Sequence, residues 1–268
     1  MEERCDQIVD CRDKSDENEC SLLVFEDSYN KKVPPFTLDQ DDNELIPVQV
    51  KVSTSLRNVL EIAEFSHTID LKFGITLEWF ENRVEYHNLK TKVALNVLSD
   101  REVGMLWIPY IIFRNTDNDE AVSVEQGRTV VSVTRQGDFV RSGPETADEV
   151  EIFKGDENMI TMNQTQSKKF HCTYLLHYYP FDTQVCTVDF QLEIFARESV
   201  ELVPHSIEML SPTELTQYYI KSYKLVYQNT SKTAATAHIY ISKARCPPPS
   251  PPVLLNSSDN FLLFVNNC

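Results

Sequence analysis

The feature that most constrains the fold is a segment in which apolar and polar side chains alternate strictly. Between Ile69 and Trp79, the sequence IDLKFGITLEW has six apolar residues, one at every second position. Because side chains on a strand point alternately to opposite faces, this pattern predicts a strand with one buried face. The same period recurs in PVQVKVS (47–53), CTVDFQLEI (186–194) and TAHIYI (236–241).

Helical periodicity is scarce in the rest of the chain. The segment VEIFKGDENMITM (150–162) predicts two further strands around a turn at Gly155-Asp156. Only SLLVFEDSYNKK (21–32) has a pattern that predicts a short amphipathic helix, and no long helix is expected after residue 60. Many alternating strands without interleaved helices indicate an antiparallel sandwich or barrel.

The charge and the cysteines indicate where such a chain works. The formal net charge is −16 and no basic stripe is present, so we do not expect nucleic acid as a partner. Seven cysteines, several at short spacing, indicate an oxidising compartment. Three glycosylation sequons agree with secretion, at Asn163, Asn229 and Asn256.

Export and membrane signals are missing from this sequence. No apolar region follows Met1, and no stretch reaches the length of about eighteen apolar residues that a membrane helix needs. For a chain with these signs of oxidation and secretion, we therefore expect either a fragment of a longer protein or an incomplete gene model.

Enzyme motifs are also missing. The sequence has no His-Glu-x-x-His, Gly-x-Ser-x-Gly or P-loop pattern. His171 and His177 are six residues apart, which suits a metal pair neither on a helix nor on a strand. We expect that the protein is not an enzyme.

The first twenty residues combine cysteines with carboxylates. Asp6, Asp10, Asp16 and Glu17 lie among Cys5, Cys11 and Cys20. Two interpretations are open: a solvated acidic terminus, or carboxylates gathered by Ca²⁺, which prefers oxygen ligands.

The stretch CDQIVDCRDKSDENEC resembles the second half of a low-density-lipoprotein-receptor class A repeat. The resemblance implies a partial repeat over residues 1–20, a Cys5–Cys20 disulfide and a lost partner for Cys11. It also implies a Ca²⁺ site, the one cofactor expected, with the four carboxylates and the carbonyls of Glu3 and Ile8 as ligands.

A second resemblance concerns HCTYLLHYYPFDTQVC (171–186), where two cysteines enclose thirteen residues. With its aromatic-Pro-x-Asp centre, this stretch resembles the signature loop of the Cys-loop, or pentameric ligand-gated, ion channel receptors. LEWFENRVEYHNL, LWIPYIIFRN and YISKAR resemble other family segments and follow in the family's order. The resemblance covers residues 21–245. Beyond it lies a Pro-rich, irregular tail (246–268), which we expect to be tied by a Cys246–Cys268 disulfide.

The resemblance implies an all-β fold, a twisted antiparallel β-sandwich of about ten strands with a short N-terminal helix. It implies a Cys172–Cys186 disulfide and a homo- or hetero-pentamer that binds a small molecule at subunit interfaces. It also implies a place on the extracellular side of the plasma membrane, with a membrane channel domain in the full-length protein. The implied residues for coupling ligand binding to the channel are Tyr179, Pro180, Phe181 and Asp182. The alternative is a secreted, soluble ligand-binding protein of the same fold.

Family pockets are commonly aromatic cages for an ammonium group. By offset from the matched motifs, three of the corresponding positions hold Gly74, Arg114 and Glu193. We also include as candidate ligand-binding residues Thr76, Phe195, Tyr218, Tyr223 and Tyr227. Our hypothesis is that Arg114 and Glu193 pair with each other or clamp a charged or zwitterionic ligand. A glycan at Asn229 would narrow the access. The competing interpretation is that these are ordinary solvent-facing positions.

Overall fold

The computed structural model describes residues 8–13, 20–38, 45–116, 129–141, 150–175, 177–178, 181–192, 199–215, 217–227 and 233–243. This part of the chain contains fifteen strands, one α-helix, α1 (Asp100–Met105), and one 3-10 turn (Val93–Leu95). The strands in chain order are β1 (Leu23–Phe25), β2 (Thr37–Leu38), β3 (Leu45–Ile46), β4 (Val48–Ala63), β5 (Thr68–Trp79), β6 (Val84–His87), β7 (Ile111–Phe113), β8 (Thr129–Thr134), β9 (Phe139–Arg141), β10 (Glu151–Lys154), β11 (Met159–His171), β12 (Thr183–Leu192), β13 (Val200–Met209), β14 (Tyr218–Tyr227) and β15 (Ala234–Lys243). No described helix is long and apolar enough to cross a membrane.

Two sheets form the sandwich. One has five strands in the order β13-β4-β5-β11-β8, and the other has four in the order β14-β15-β12-β7. Their inner faces share one hydrophobic core. Phe73 of the five-stranded sheet meets Phe113 of the four-stranded sheet with ring centroids 5.4 Å apart. The predicted all-β sandwich is therefore confirmed.

Two smaller sheets complete the architecture. A second four-stranded sheet has the order β1-β6-β10-β9, and β2 pairs with β3. The sequence correctly predicts strands on both sides of Gly155. These two strands, β10 and β11, belong to different sheets, so the turn at Gly155 connects the smaller four-stranded sheet to the five-stranded sheet.

One pairing departs from the antiparallel expectation, because β13 runs parallel to β4. Alternation within a strand shows which face is buried but carries no information on the direction of its neighbour.

The predicted helix over 21–32 is wrong, because the chain there forms β1 and turns. Strand β1 pairs with β6 and places Leu23 opposite Tyr86. Leu22 and Leu23 are both buried, and their backbone N–H groups donate to the Glu102 carboxylate at 2.7 and 3.2 Å. These contacts with distant residues outweigh a weak local preference for helix.

Candidate functional site

The loop between the two cysteines lies at one end of the sandwich. A disulfide joins Cys172 and Cys186, and the backbone N–H of Cys172 donates to the carbonyl of His67 at 2.8 Å. The ring of Tyr174 is buried, and its hydroxyl donates to the carbonyl of Thr68 at 3.1 Å. Burial raises the pKa of Tyr174. The loop is therefore fastened to the turn that connects β4 and β5.

Several large apolar side chains at this end are in solvent. Phe65 is fully exposed, and Tyr178 and Phe181 are 80% and 77% exposed. Leu175 is also exposed. Its backbone N–H donates to the side chain of Gln184 at 2.8 Å, and its carbonyl accepts from the same side chain at 2.9 Å. We call these four residues, Phe65, Leu175, Tyr178 and Phe181, the apolar end surface.

The predicted coupling residues are only partly described. Phe181 belongs to the apolar end surface, and Asp182 is half-buried and accepts a hydrogen bond from the Gln184 side chain. Tyr179 and Pro180 lie outside the described residues. The coupling role stays a prediction.

A polar groove lies behind the loop, and Glu64 and Lys243 approach to 3.8 Å there. The ammonium of Lys243 lies 5.5 Å from the ring centroid of Tyr218, and both residues line the groove together with Asp182. Tyr218, predicted as a ligand contact, is thus placed beside the disulfide loop.

The other predicted ligand residues are distributed over both sheets. Gly74 and Thr76 lie on the polar, outer face of β5, where the hydroxyl of Thr76 donates to the Asn163 side chain at 2.7 Å. Arg114 follows β7, with an exposed side chain and a backbone N–H that donates to Asp189 at 2.8 Å. Tyr223 pairs with Ile239 and packs against the core. Burial raises its pKa to about 12.

One chain does not bring these residues together. The face that carries Gly74 and the strand end that carries Arg114 belong to different sheets of the sandwich. Glu193 and Phe195, and the side chain of Tyr227, lie outside the described residues. The clamp of Arg114 and Glu193 therefore stays a prediction.

Glu81, two residues after Trp79, is a further buried residue that is not among the predicted site residues. Its carboxylate is fully buried and binds Arg83 through two contacts of 2.7 and 2.8 Å. The Arg83 guanidinium lies 4.8 Å from the centre of the Tyr29 ring, and the Tyr29 hydroxyl accepts from the backbone N–H of Trp107 at 2.7 Å. The signal for Glu81 is its place in the segment LEWFENRVEYHNL, where it lies midway between Trp79 and Arg83.

This arrangement joins the two tryptophan motifs of the sequence. The rings of Trp79 and Trp107 meet edge to face at 6.2 Å. Burial, followed by the charge of Glu81, raises the pKa of Tyr29. Glu81 is buried while Tyr29 and Arg83 are half-buried, and we interpret the cluster as a structural clamp that holds the β5–β6 and 106–110 segments together.

The N-terminal repeat is mostly outside the described residues, which exclude Glu3, Cys5, Asp6, Asp16 and Glu17. Ile8 and Asp10 are exposed, Cys11 is a free thiol and Cys20 is disulfide-bonded. Calcium binding stays a prediction. Of the sequons, Asn163 is exposed on β11, whereas Asn229 and Asn256 lie outside the described residues, as do Cys246 and Cys268.

Comparison with known proteins agrees with this arrangement. Residues 19–246 match the family described as the neurotransmitter-gated ion-channel ligand binding domain. Acetylcholine receptor subunit delta of Rattus norvegicus is 21% identical over 182 residues, which are 67% of this chain and 29% of that protein. Serotonin-gated chloride channel mod-1 of Caenorhabditis elegans is 21% identical over 209 residues, 75% of this chain and 37% of the relative.

A human relative shows similar divergence. Gamma-aminobutyric acid receptor subunit epsilon of Homo sapiens is 25% identical over 139 residues, which are 49% of this chain and 26% of that protein. The chain therefore spans between 26% and 37% of the length of these relatives.

Proposed function

This chain belongs to the neurotransmitter-gated ion-channel ligand-binding-domain family, and from that premise we propose that it is the extracellular domain of a pentameric channel subunit. It binds a small ligand at the interfaces between subunits. Its Cys loop transmits binding to a channel domain in the membrane.

The apolar end surface is the observation that carries this proposal. Phe65 and Phe181 come from separate segments, yet both project large apolar side chains from the same end of the sandwich. Exposed apolar area of this kind is expected where another protein surface covers it. The disulfide and the hydrogen bonds of Gln184 hold part of this surface in place, as transmission of a conformational change requires.

The same observation argues against the alternative, a secreted binding protein without a channel. Such a protein would leave the apolar end surface in water permanently. Phe65 and Phe181 would then serve no purpose, and polar residues at both positions would favour solubility.

The first experiment concerns assembly. We expect the secreted chain to form a five-membered ring, as measured by light scattering and electron microscopy. Acetylcholine, γ-aminobutyrate and serotonin, which the names of the relatives specify, form the first ligand panel. A chain that stays monomeric at micromolar concentration would contradict the pentamer.

The second experiment concerns coupling, in a chimera that carries the channel domain of a relative. We expect Phe181→Ser to lower the ligand-evoked current without changing ligand affinity. Val140→Ser is the matched control, because Val140 is 65% exposed on β9. Equal ligand-evoked currents in the Phe181→Ser and Val140→Ser variants would show that Phe181 has no coupling role.

A further inference from the structure

Because Gly74 has no side chain, neighbouring side chains can lie over its backbone on the outer face of the five-stranded sheet. A Cβ atom at this position would lie 2.5 Å from Oγ of Ser55 and 3.3 Å from Nε of Arg57. The side chain of Arg57 therefore lies across β5, over the backbone of Gly74. A guanidinium thus covers a position where the family often has an aromatic ring.

A bulge in β4 brings this guanidinium to its place. The register passes from Leu56 opposite Phe73 to Asn58 opposite Lys72, which leaves Arg57 as the additional residue. A β-bulge leaves one residue without a partner on the neighbouring strand and changes the direction of its side chain. Arg57 consequently projects from the polar face beside Lys72.

Two cations, Arg57 and Lys72, lie on this face, and the acid next to them on β5 is Asp70, which the register places opposite Glu61 and Lys169. Among the described residues, neither Arg57 nor Lys72 forms an ion pair. Glu61, two pairs away, contacts Lys169 at 3.7 Å, and Glu208, level with Ser55 on β13, contacts neither cation. The register places Asn58, not Arg57, opposite Lys72, so the two cations are neighbours on this face rather than a facing pair, and they occur in a chain of net charge −16. A bound anion would be attracted by both cations.

Three residues with hydroxyl groups occupy the neighbouring register positions. Ser55 and Thr165 lie opposite Gly74 on the two neighbouring strands, and Ser167 lies opposite Lys72. A guanidinium fork beside hydroxyl donors matches the two oxygens of a carboxylate. No aromatic side chain occupies these register positions, so the patch lacks what an ammonium group needs for cation–π attraction.

We propose that Arg57 and Lys72, over Gly74 and between the three hydroxyl groups, bind the carboxylate of a small amino-acid-like ligand. This inference rests on the proposed function, because the face around Gly74 becomes part of a ligand pocket only in the assembled ring. It narrows the ligand class and assigns the recognition to β4, a strand that the sequence analysis did not connect with the ligand.

Matched pairs of probes test the ligand class by calorimetry on the assembled full chain. Glycine, β-alanine and γ-aminobutyrate are compared with methylamine, ethylamine and propylamine, which lack only the carboxylate. We expect at least one carboxylate probe to bind, and its amine counterpart to bind at least about a hundredfold more weakly, since charge-assisted bonds are lost.

Variants test the residues. Arg57→Gln should weaken binding of the carboxylate probe by about tenfold to a hundredfold, and Lys72→Gln by about tenfold. Arg57→Lys keeps the charge but loses the fork, and we expect an intermediate loss. Lys154→Gln is the control, because Lys154 is an exposed lysine on another sheet, and its variant should stay within about twofold. Thermal unfolding and light scattering verify that each variant folds and assembles.

Four results would overturn the inference. They are equal binding of the amine counterparts, unchanged affinity in both Arg57→Gln and Lys72→Gln, no binding of any carboxylate probe, and loss of the ring in Arg57→Gln, which would indicate a subunit contact. If the ring forms and binds acetylcholine or serotonin independently of Arg57, the proposed function stands and only this inference falls. A monomer that binds no probe would refute both.

Discussion

Glu102 is a buried carboxylate that fixes a segment about eighty residues away along the chain. It accepts hydrogen bonds from the backbone of Leu22 and Leu23 and, within its own helix, forms a capping box with Ser99. Burial raises the pKa of Glu102, but the hydrogen bonds from Ser99, Leu22 and Leu23 outweigh it, so the pKa lies below the ordinary value for a glutamate. The Ser-x-x-Glu spacing is that of a capping box, whereas the contact with β1 depends on the fold.

We predict that Glu102→Gln lowers the free energy of unfolding by about 1–3 kcal/mol at neutral pH, because an amide replaces a charged acceptor. The stabilisation by the carboxylate is complete above the ordinary pKa that the group has in the unfolded chain, and it is lost as the pH falls through the lower pKa of the folded state. Denaturant unfolding of both proteins between about pH 7 and pH 3 should therefore show the difference shrinking with acid. A difference that stays constant with pH would contradict this explanation.

Gly155 is required by close backbone contacts. A Cβ atom there would overlap the carbonyl oxygens of Glu81 and Val84, and backbone atoms cannot rotate away as a side chain does. We predict that Gly155→Ala costs at least about 2 kcal/mol in thermal or denaturant unfolding.

Gly104 is the matched control for Gly155. It lies in α1 with open space around it, so Gly104→Ala should stabilise by about 0.4–1 kcal/mol. Equal effects of the two substitutions would show that the contacts of Gly155 are not limiting.

At the level of elements, the sequence locates strands better than it locates their partners. The predicted strands at β4, β5, β12 and β15 are confirmed because their alternation is set by local chemistry. The segment of β1 was predicted as a helix, since Leu22, Leu23 and Phe25 alone do not distinguish a short strand from an amphipathic turn. Contacts with β6 and Glu102 decide the matter.

The disulfide gives a prediction at this scale. It links Cys172 and Cys186 over a sequence separation of 14, and removing it with two serines should lower stability by about 3 kcal/mol in the chain-entropy model. Cys11→Ser is the control, because Cys11 is exposed and free, and it should change stability by less than about 0.5 kcal/mol. Denaturant unfolding measures both. A loss below 1 kcal/mol for the double variant would mean that hydrogen bonds around Tyr174 hold the loop without it.

At the level of the whole molecule, the sandwich separates the candidate ligand residues. Gly74 and Arg57 lie on the outer face of one sheet, while Arg114 lies at an edge strand of the other. A ligand that touches both sets needs two copies of the chain, joined by two different surfaces. Repetition of such a contact closes into a ring when the rotation between copies allows it.

A mixed assembly tests this arrangement. Arg57→Gln and Arg114→Ala should each weaken binding of the carboxylate probe at every interface. In rings formed from equal amounts of both variants, each side of an interface has a chance of about one half of carrying its intact arginine. About one quarter of the interfaces therefore combine an intact Arg57 with an intact Arg114. Calorimetry should recover that fraction of strong sites.

The control is a chain that carries both substitutions, mixed with either single variant. Every interface then lacks at least one of the two arginines, and no strong sites should return. Mixed rings of the two single variants without strong sites would place both arginines in one copy or remove one of them from the pocket.

The all-β class, the principal strands and the family resemblance follow from the order of residues along the chain, because side-chain alternation and motif spacing are local properties. Tertiary structure decided the parallel pairing of β13 with β4, the strand in place of a helix at β1, and the burial of Glu81 and Glu102. It also decided that Arg57 covers Gly74 and that Tyr218 lies beside the Cys loop. These features depend on which distant segments pack together, and one-dimensional periodicity does not encode that choice.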